Sequence, residues 1–394
     1  MTFSARLAAA HARLRTVGVT GTNGKTTTTS MVAAIVAAAD EPTARVTTVG
    51  AWVDDERVTA TDLVDEFLLT VERAAARGAR AIAIEMTSKA LAGGIARKWR
   101  PDVAIVTNVT RDHLDMHGTP EAYLAAKAQI AIALAPGGTA VLNGDDPAVA
   151  LIAEVVPPGV EVRRFSRRDP TCALFAERVE VSPIGTRVTL RGVLSLSLDL
   201  RVVGGVHAEN AMAAALAAHA LGYSEAAIRR GLEAYEGVPG RFEVVARDPL
   251  VIVDYAHSPD GLAGTLATAR MLAQRVICVF GCGGNRDRGK RSEMGAIADR
   301  EADVVVLTSD NPRDEDPRAI ADAILAGAPA PRAQWVTELD RARAIETAVR
   351  LAGPADIVVI AGKGHEQVQE VAGAAIPFSD AAVARAVLGQ SGNA

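Results

Sequence analysis

The chain has 394 residues, of which 49% are hydrophobic and 23% charged, a composition typical of globular proteins. One hydrophobic core rarely serves so long a chain, so two domains are expected. The net charge of −5 and the aromatic content of 4% argue against a nucleic-acid partner and against an anionic membrane as a partner.

Cysteines and apolar segments indicate the compartment. The chain has 3 cysteines, Cys172, Cys278 and Cys282, and no C-x-x-C pair. An odd number without paired spacing is expected of reduced thiols, and therefore of a cytoplasmic protein. No segment approaches the ~20 apolar residues that span a bilayer. The Ala- and Arg-rich segment 1–15 is predicted to be a short helix rather than a transit peptide.

The first stretch with chemical content is T-G-T-N-G-K-T-T at residues 20–27. It follows the short apolar run 17–19 and precedes an Ala-rich helical segment, 31–39. Strand, glycine-rich loop, Lys-Thr and helix form the order of a phosphate-binding loop. Val19 stands where the usual nucleotide-triphosphatase pattern has its first glycine, so the loop is a variant. An ordinary strand-to-helix turn is the alternative.

The residue types of this loop suit a nucleoside triphosphate. Its glycines let successive N–H groups face one anion, and the following helix directs its positive dipole end to the same place. Lys25 adds a positive charge, and the Thr26 hydroxyl suits a magnesium ion. The predicted binding loop consists of Gly21, Thr22, Asn23, Gly24, Lys25, Thr26 and Thr27.

Alternating strands and helices follow, and they predict a mostly parallel, doubly wound sheet. Predicted strands cover 45–49, 79–85, 102–107 and 139–142, and predicted helices cover 62–77 and 120–134. Ligands bind beyond the carboxyl ends of such strands, which places Glu85 and Asn108 on the edge that carries the phosphate loop. Short β-branched runs over 173–205 predict a small antiparallel sheet, and helices are expected at 208–221 and 224–235.

The sequence Gly237–Gly240 is typical of a linker. A second alternating series follows, with strands predicted at 250–254, 276–280, 304–307 and 357–360, and it predicts a Rossmann-like α/β C-terminal domain. We therefore divide the chain into a domain that carries the phosphate loop, 1–239, and a C-terminal domain, 240–394.

Several polar runs at predicted strand ends are candidates for chemistry. N-V-T-R-D-H-L-D-M-H at 108–117 places two acids and two histidines after a strand, although spacing alone favours a solvated loop over a metal site. His207, in G-V-H-A-E-N, is by itself better explained as a helix cap or a packed histidine than as a ligand contact. The basic loop 280–291 suits an anion, with a charged surface loop as the alternative.

Together and in this order, the runs resemble the Mur ligase family, and within it the MurE type. The matching sequences are T-G-T-N-G-K-T-T, D-H-L-D-x-H with its downstream A-K-A, G-x-H-x-x-N, V-P-G-R, D-Y-A-H-x-P, G-C-G-G-x-R-D-x-G-K-R, D-N-P-R-x-E-D-P and G-K-G-H-E. The resemblance implies an ATP-dependent ligase. In that reaction a carboxylate is phosphorylated to an acyl phosphate, and an amine then attacks it to form an amide.

The resemblance also implies the catalytic and metal-binding residues. Lys25 and Thr26 would meet the β- and γ-phosphates and one Mg²⁺, and Glu85 and His113 would bind a second Mg²⁺. Lys127 matches the family's lysine that reacts with carbon dioxide. A free lysine is a cation below pH ~10.4, whereas its carbamate is an anion that suits a magnesium site. A surface lysine on a helix is the alternative for Lys127.

By the same resemblance, the nucleotide would contact His207, Asn210, Arg241, Asp254 and His257. The pocket for the incoming amino acid would contain Arg286, Asn311, Arg313, Gly362 and Glu366. In MurE-type enzymes that use meso-diaminopimelate, the arginine of D-N-P-R meets the distal carboxylate, a task that suits a bidentate guanidinium. Arg313 therefore predicts an acceptor with an extra carboxylate and disfavours a lysine acceptor.

The carboxylate-donor side departs from the family pattern. Only residues 1–16 precede the first strand, so the family's N-terminal UDP-binding domain is expected to be absent. Segment 58–63 lacks the proline of the usual Thr-Thr-Pro contact, and Lys89 stands where histidine is usual. We expect the ligase chemistry to be kept with a donor other than UDP-muramoyl dipeptide.

Two other classes of protein stay open: a folylpolyglutamate-synthase-like ligase and a nucleotide-binding subunit that needs a partner. The motifs D-N-P-R and G-K-G-H-E argue against the first. Lys25, Glu85, His113 and Lys127 argue against a binding subunit without catalysis. Without a partner subunit, we expect a monomer or homo-oligomer that acts on small-molecule carboxylate and amino-acid substrates.

Overall fold

The computed structural model describes residues 3–389, which form two compact units. The first unit runs up to Thr110 and includes His117–Glu180 and Ile184–Gly237. The second contains Arg111–Met116, Val181–Pro183 and the chain from Val238 onward. No helix in this part of the chain is long and apolar enough to cross a membrane.

The first unit is built on one sheet, to which 11 strands contribute within residues 3–389. The strands are β1 (Arg15–Thr20), β2 (Ala44–Thr47), β3 (Gly50–Val53), β4 (Glu56–Val58), β5 (Ala81–Glu85), β6 (Val103–Val106), β7 (Thr139–Asn143), β8 (Glu161–Ser166), β9 (Leu174–Ser182), β10 (Gly185–Gly192) and β11 (Leu196–Leu200). Their order across the sheet is β11-β10-β9-β8-β7-β6-β1-β5-β2-β3-β4.

Helices accompany these strands along the chain. They are α1 (Phe3–His11), α2 (Lys25–Ala38), α3 (Leu63–Ala76), α4 (Ser88–Ala92), α5 (Ile95–Lys98), α6 (Leu114–His117), α7 (Pro120–Ile132), α8 (Pro147–Ala153), α9 (Val206–Ala220) and α10 (Glu225–Ala234). Local sequence explains several starts. Asp62, Thr119 and Ser224 each accept a hydrogen bond from a backbone N–H of the first turn of their helix.

The centre of this sheet is parallel, as the sequence predicts. Strand β1 pairs in parallel with β5 and β6, and β6 pairs in parallel with β7. Every residue of β5, β6 and β7 is buried, because helices cover both faces. The antiparallel strands expected over 173–205 are present as β9 to β11, and they continue the same sheet through a parallel pairing of β9 with β8.

The second unit has a Rossmann-like sheet, with 6 strands among the described residues. They are β12 (Glu243–Arg247), β13 (Leu250–Asp254), β14 (Val276–Phe280), β15 (Val304–Leu307), β16 (Gln334–Thr337) and β17 (Ile357–Ala361), in the order β12-β13-β17-β14-β15-β16. Only β12 runs antiparallel to its neighbour. A separate hairpin joins β18 (Val368–Val371) and β19 (Ala374–Pro377).

The helices of the second unit are α11 (Pro259–Leu272), α12 (Lys290–Glu301), α13 (Pro317–Leu325), α14 (Arg341–Leu351) and α15 (Asp380–Val387). The loops after β13, β14, β15 and β17 lie at the carboxyl ends of parallel strands, where ligands bind in such sheets. They carry the D-Y-A-H-S-P, G-C-G-G-N-R-D, S-D-N-P-R and G-K-G-H-E motifs.

Candidate active site

The phosphate loop between β1 and α2 has a backbone that only glycine permits at two points. Gly21 and Gly24 have φ values of 153° and 82°. A Cβ atom on Gly21 would lie 1.8 Å from the Thr107 hydroxyl oxygen, and one on Gly24 would lie 2.4 Å from Asn210 Oδ1. Gly24 begins α2 without a side-chain cap, so the first turn keeps N–H groups for an anion.

The end of β6 holds this loop in place. The Asn23 N–H donates to Asn108 Oδ1 at 2.8 Å, and the Thr107 hydroxyl donates to the Asn23 carbonyl at 2.6 Å. The Thr22 N–H donates to the Asn108 carbonyl at 2.9 Å. The loop is therefore ordered by neighbouring strand ends, as the topology predicts for Asn108.

Glu85, at the end of β5, meets the first turn of α2. The Thr26 hydroxyl donates to Glu85 Oε2 at 2.8 Å, and the Thr48 N–H donates to the same oxygen at 3.1 Å. The carboxylate is only 9% exposed. Lys25 Nζ donates to the Thr22 carbonyl at 2.7 Å, so its positive charge lies over the loop.

Lys127 is buried, which rules out the surface-lysine alternative. It lies on α7, is 1% exposed, and its Nζ donates to the Gly21 carbonyl at 2.5 Å. The same nitrogen lies 4.6 Å from the centre of the Tyr123 ring. Lys127 therefore contacts the phosphate loop directly.

His113 lies in the segment that clusters with the second unit, and its Nε2 is 3.4 Å from Asp112 Oδ2. Within residues 3–389, no three His, Cys, Asp or Glu side chains converge as a metal site. The acids and histidines of 108–117 therefore form no metal cluster of their own. His117 instead lies 3.0 Å from the Ser88 hydroxyl.

Helix α9 brings Asn210 to the phosphate loop. Asn210 Oδ1 accepts a hydrogen bond from the Thr28 hydroxyl at 3.2 Å. His207 is 3% exposed, and neither ring nitrogen has a hydrogen-bond partner among the described residues. Burial lowers the pKa of His207 to about 4, so the ring is neutral at physiological pH.

A cavity of about 710 Å³ opens beside this loop, in the first unit. Its lining includes Thr110, Asn143, Arg167 and Glu209. The Thr110 N–H donates to the Thr22 hydroxyl at 3.0 Å, which joins the cavity wall to the phosphate loop. The volume is within the range of small-molecule sites. This wall was not among the predicted site residues, although the polar run N-G-D-D-P at the end of buried β7 is a sequence signal for it.

In the second unit, Asp254 organises the residues that follow the linker. Its carboxylate accepts hydrogen bonds from the Phe242 N–H at 2.7 Å and the Thr265 hydroxyl at 2.8 Å. Burial raises the pKa of Asp254. The Arg241 guanidinium lies 4.2 Å from the centre of the Tyr255 ring, and the His257 ring lies 4.5 Å from it. Arg241, Asp254 and His257 are therefore grouped around Tyr255.

Buried Asn311 and Lys363 and half-buried Glu366 form a polar cluster after β15 and β17. Asn311 Nδ2 donates to Glu366 Oε2 at 2.8 Å. Lys363, with no exposed surface, donates to Asn311 Oδ1 at 2.9 Å and to Glu366 Oε2 at 2.8 Å. Gly362 has a φ of 115°, and a Cβ there would lie 2.6 Å from Asp310 Oδ2.

Arg313 follows this cluster with a left-handed backbone, at a φ of 52°. Its Nε lies 2.6 Å from Glu370 Oε2, and its Nη1 donates to the Gly284 carbonyl at 2.8 Å. Arg286 approaches the same glycine-rich loop, since a Cβ on Gly283 would lie 3.0 Å from Arg313 Nη1 and 3.7 Å from Arg286 Cγ. All five predicted acceptor residues thus lie on three adjoining loops of the second unit.

Two family models match this chain. The Mur ligase middle domain matches residues 19–218, and the Mur ligase glutamate ligase domain matches residues 240–364. The chain belongs to the Mur ligase family. It is an ATP-dependent amide ligase that joins an acid to an amino acid.

Curated relatives of this Mur ligase match nearly its whole length. A UDP-N-acetylmuramoyl-L-alanyl-D-glutamate–2,6-diaminopimelate ligase of Synechococcus elongatus is 41% identical over 96% of this chain and 77% of the relative. An enzyme of the same name from Geobacillus kaustophilus is 39% identical over 96% of this chain and 80% of the relative. The MurE resemblance is thereby confirmed.

Solved structures agree with the fold. A UDP-N-acetylmuramoyl-L-alanyl-D-glutamate–2,6-diaminopimelate ligase structure superposes with a TM-score of 0.67 at 34% identity, covering 95% of this chain and 78% of that one. A Mycobacterium tuberculosis folylpolyglutamate synthase superposes with a TM-score of 0.74 at 21% identity, covering 99% of this chain and 96% of that one. At that identity, the second comparison supports the fold alone.

Sequence reasoning missed the residues that hold the acceptor loops together. Arg291, 4% exposed, donates from Nη1 and Nη2 to the two carboxylate oxygens of Glu315 at 3.1 and 3.0 Å. This pairing, aided by the Asn285 N–H, lowers the pKa of Glu315 to about 2. Both residues stand in motifs that the sequence analysis quoted, but only their pairing in space shows what they do.

Proposed function

We propose that this Mur ligase joins a small carboxylate donor to an amino acid that carries a second carboxylate, such as meso-diaminopimelate. The observation that carries the proposal is the position of Arg313. It extends from a strained backbone into a group of loops that also presents Asn311 and Glu366. An amino acid has an amine and a carboxylate. The oxygen atoms on these loops can accept hydrogen bonds from the amine, and the guanidinium can bind a carboxylate.

The acceptor end follows from charge. Arg313 uses Nε for Glu370 and Nη1 for the Gly284 carbonyl. Its Nη2 makes no hydrogen bond within residues 3–389, so that edge of the fork is left for a ligand carboxylate. A terminal ammonium, as in lysine, would meet the guanidinium with like charge. The relatives named diaminopimelate ligases agree with this choice.

We assign the nucleotide and its metal to residues 1–239, and the acceptor and part of the nucleotide contact to residues 240–394. The Gly21–Gly24 cradle and Lys25 fit a triphosphate. Thr26 and Glu85 offer the hydroxyl and carboxylate oxygens that Mg²⁺ prefers, and one carboxylate suffices because this ion keeps waters and phosphate oxygens. Bound Mg²⁺ would neutralise phosphate charge, and His113 would join a second ion.

The chain's own residues prepare the reaction by position. Lys25 and the N–H groups that begin α2 hold the transferred phosphate, so that the donor carboxylate attacks phosphorus. We assign nucleotide contacts to His207 and Asn210 in the first unit, and to Arg241, Asp254 and His257 in the second unit. Exclusion of water protects the acyl phosphate until the amine attacks it.

Lys127 enters this site as a carbamate. Its Nζ already lies against the loop, where a neutral amine reacting with carbon dioxide forms an N–C bond and loses a proton to water. The product is an anion whose oxygens suit the second Mg²⁺ together with Glu85 and His113. As an ammonium, Lys127 would add positive charge that repels a metal ion.

The donor differs from UDP-muramoyl dipeptide. Segment 58–63 and Lys89, which depart from the family pattern, flank the strands that end at the Glu85 centre. Lys89 is exposed at the start of α4. A cation there favours a donor with an acidic group near its reacting carboxylate.

Phosphate release tests the proposal. Purified protein would receive ATP, Mg²⁺, bicarbonate, meso-diaminopimelate or lysine, and a panel of carboxylates that includes UDP-muramoyl dipeptide. We expect release to depend on both meso-diaminopimelate and a donor without UDP. Preference for lysine would contradict the proposed acceptor. Turnover of UDP-muramoyl dipeptide at rates typical of the family would contradict the proposed donor. ATP binding without turnover of any pair would instead favour a nucleotide-binding subunit.

A further inference from the structure

At one edge of the first sheet, three antiparallel strands place two arginine side chains against one tryptophan ring. Trp52 of β3 is the register partner of Arg45 on β2 and of Arg57 on β4. The Arg45 and Arg57 guanidiniums lie 4.5 Å and 5.8 Å from the centre of the Trp52 ring. Because register partners point to the same face of a sheet, all three side chains share one face. We call them the Arg-Trp-Arg platform.

Neither guanidinium of the platform has an ion-pair partner in the part of the chain that the structure describes. Among residues 3–389, no carboxylate lies within ion-pair distance of Arg45 or Arg57. Two acids of the adjoining β3–β4 turn region are taken elsewhere, since Arg77 pairs with Asp54 at 2.8 Å and with Glu56 at 2.7 Å. Asp55, the third acid of that turn, is exposed and acts on Arg45 through its charge without forming an ion pair, so the two guanidiniums over the tryptophan keep N–H groups for an external anion.

Arg45 is half-buried, and burial lowers its pKa. A cation that is withdrawn from water without a carboxylate partner is unfavourable. Cation–π contact with Trp52 offsets part of that cost and holds the guanidinium in one orientation. Such preorganisation is typical of a group that awaits an external anion.

The platform adjoins the Glu85 centre. Arg57 Nη2 donates to the Val49 carbonyl at 3.4 Å, and Gly50 packs against Trp52, since a Cβ there would lie 2.9 Å from the ring. Val49 follows Thr48, whose N–H donates to Glu85 at 3.1 Å. One turn, Thr48–Val49, therefore touches both Glu85 and the platform.

We propose that the Arg-Trp-Arg platform binds an oxyanion, a carboxylate or phosphate group, that the donor substrate carries beside its reacting carboxylate. This inference rests on the proposed ligase function and names a chemical feature of its donor. Two guanidiniums favour an anion that accepts several N–H bonds. The donor is thus at least a diacid, held by one acidic group at the platform while the other reaches the phosphate loop.

Tryptophan fluorescence of the full-length protein tests the platform without turnover. The protein would first be saturated with a non-hydrolysable ATP analogue and Mg²⁺, so that the phosphate loop is filled. Inorganic phosphate and glutarate would then be titrated separately at constant ionic strength. We expect a saturable change in fluorescence with at least one anion. The anion that binds more tightly identifies the group as phosphate or carboxylate. Trp52→Phe should abolish the change, since Trp99 is fully buried and Trp335, half-buried on β16, belongs to the second unit.

Charge-removing variants complete the test. Arg45→Gln and Arg57→Gln should each weaken the binding of the anion by about tenfold or more. Arg57 is exposed, so its variant remains informative if the half-buried Arg45 variant does not fold. Arg187→Gln is the matched control, because Arg187 also lies on an antiparallel strand but pairs with Asp199 at 2.7 Å. Absence of a saturable change, or wild-type half-saturation in Arg57→Gln, would overturn the proposal.

The two proposals fail in different ways. If the protein is not the proposed ligase, no donor–acceptor pair releases phosphate, while the platform still binds its anion. If only the platform is wrong, turnover is found and Arg57→Gln leaves the KM of the donor unchanged.

Discussion

The Nζ atom of Lys127 lies 2.5 Å from the carbonyl oxygen of Gly21, and the side chain around it is almost fully buried. The contact places an amine from helix α7 against the backbone of the phosphate loop. An ammonium can only donate there, whereas a carbamate brings oxygens that accept hydrogen bonds and bind metal. The chemical state of this one nitrogen therefore decides the charge of the site.

We predict that Lys127→Ala lowers kcat by at least about a hundredfold, since a positioned charged group commonly contributes that much. Wild-type activity should fall when carbon dioxide is removed from the buffer and return when bicarbonate is added. Bicarbonate should not change the activity of the variant. Lys98→Ala, on a surface helix, serves as the control. Wild-type turnover by Lys127→Ala would exclude the carbamate.

Glu85→Gln should raise the Mg²⁺ concentration needed for half-maximal activity by about tenfold or more. The amide keeps the shape of the side chain and its acceptor for the Thr26 hydroxyl, but it removes the charge that a hard cation needs. A Mg²⁺ titration of the ATPase half-reaction would measure the change. Glu56→Gln, on an exposed residue, should leave the titration curve in place. An unchanged Mg²⁺ requirement in Glu85→Gln would remove Glu85 from the metal site.

Buried parallel strands are the part of the fold that the sequence predicted best. The runs L-V-I-V-D and V-I-C-V-F were predicted at 250–254 and 276–280, the bounds that β13 and β14 have in the structure. Both faces of such strands are covered, so every residue is apolar or nearly so. The short edge strands β12 and β16 were missed because half-exposed strands mix polar and apolar residues without a clear period.

Site prediction failed where a role depends on contacts distant in sequence. Lys363 stands in G-K-G-H-E, yet only the structure shows it buried against Asn311, 52 residues away. The pairing of Arg291 with Glu315 is similar, since neither motif predicts which acid its arginine meets. The role of the loop glycines was easier to predict, because the conformation of Gly21 and Gly24 is a local property of the chain.

Arg313→Lys should raise the KM for the acceptor by about ten- to a hundredfold and change kcat little. Lysine keeps the charge but loses the planar fork that pairs with a carboxylate and with the Gly284 carbonyl together. Steady-state kinetics with meso-diaminopimelate would show the split, with the KM of ATP as the internal reference. Arg318→Lys is a matched control on helix α13. Equal acceptor KM values for wild type and Arg313→Lys would refute a carboxylate contact.

Arg341→Met should destabilise the second unit by about 3–5 kcal/mol, because it leaves the Asp380 carboxylate buried without a counter-charge. Both side chains are fully buried, and Arg341 Nε lies 2.7 Å from Asp380 Oδ1. Arg341 also donates to the Ser309 and Ala361 carbonyls, at the ends of β15 and β17.

Denaturant unfolding would measure this loss. Removal of both charges in Arg341→Met with Asp380→Leu should recover much of it, since no uncompensated ion then remains. If the double variant is no more stable than Arg341→Met, the carbonyl contacts rather than the ion pair account for the loss.

His207 should make the folded state sensitive to acid. Burial lowers its pKa from 6.5 to about 4, so between these values the unfolded chain binds a proton that the folded chain does not. The stability associated with a neutral His207 is therefore fully present above pH 6.5 and is lost as the pH falls toward 4, by about 3 kcal/mol in all.

His207→Gln removes this titration while it keeps a polar side chain of similar reach. Free energies of unfolding, measured for both proteins from pH 7.5 to pH 4.5, should differ in slope below pH 6.5, with the wild type steeper. Parallel curves would contradict a buried, neutral His207 in the folded state.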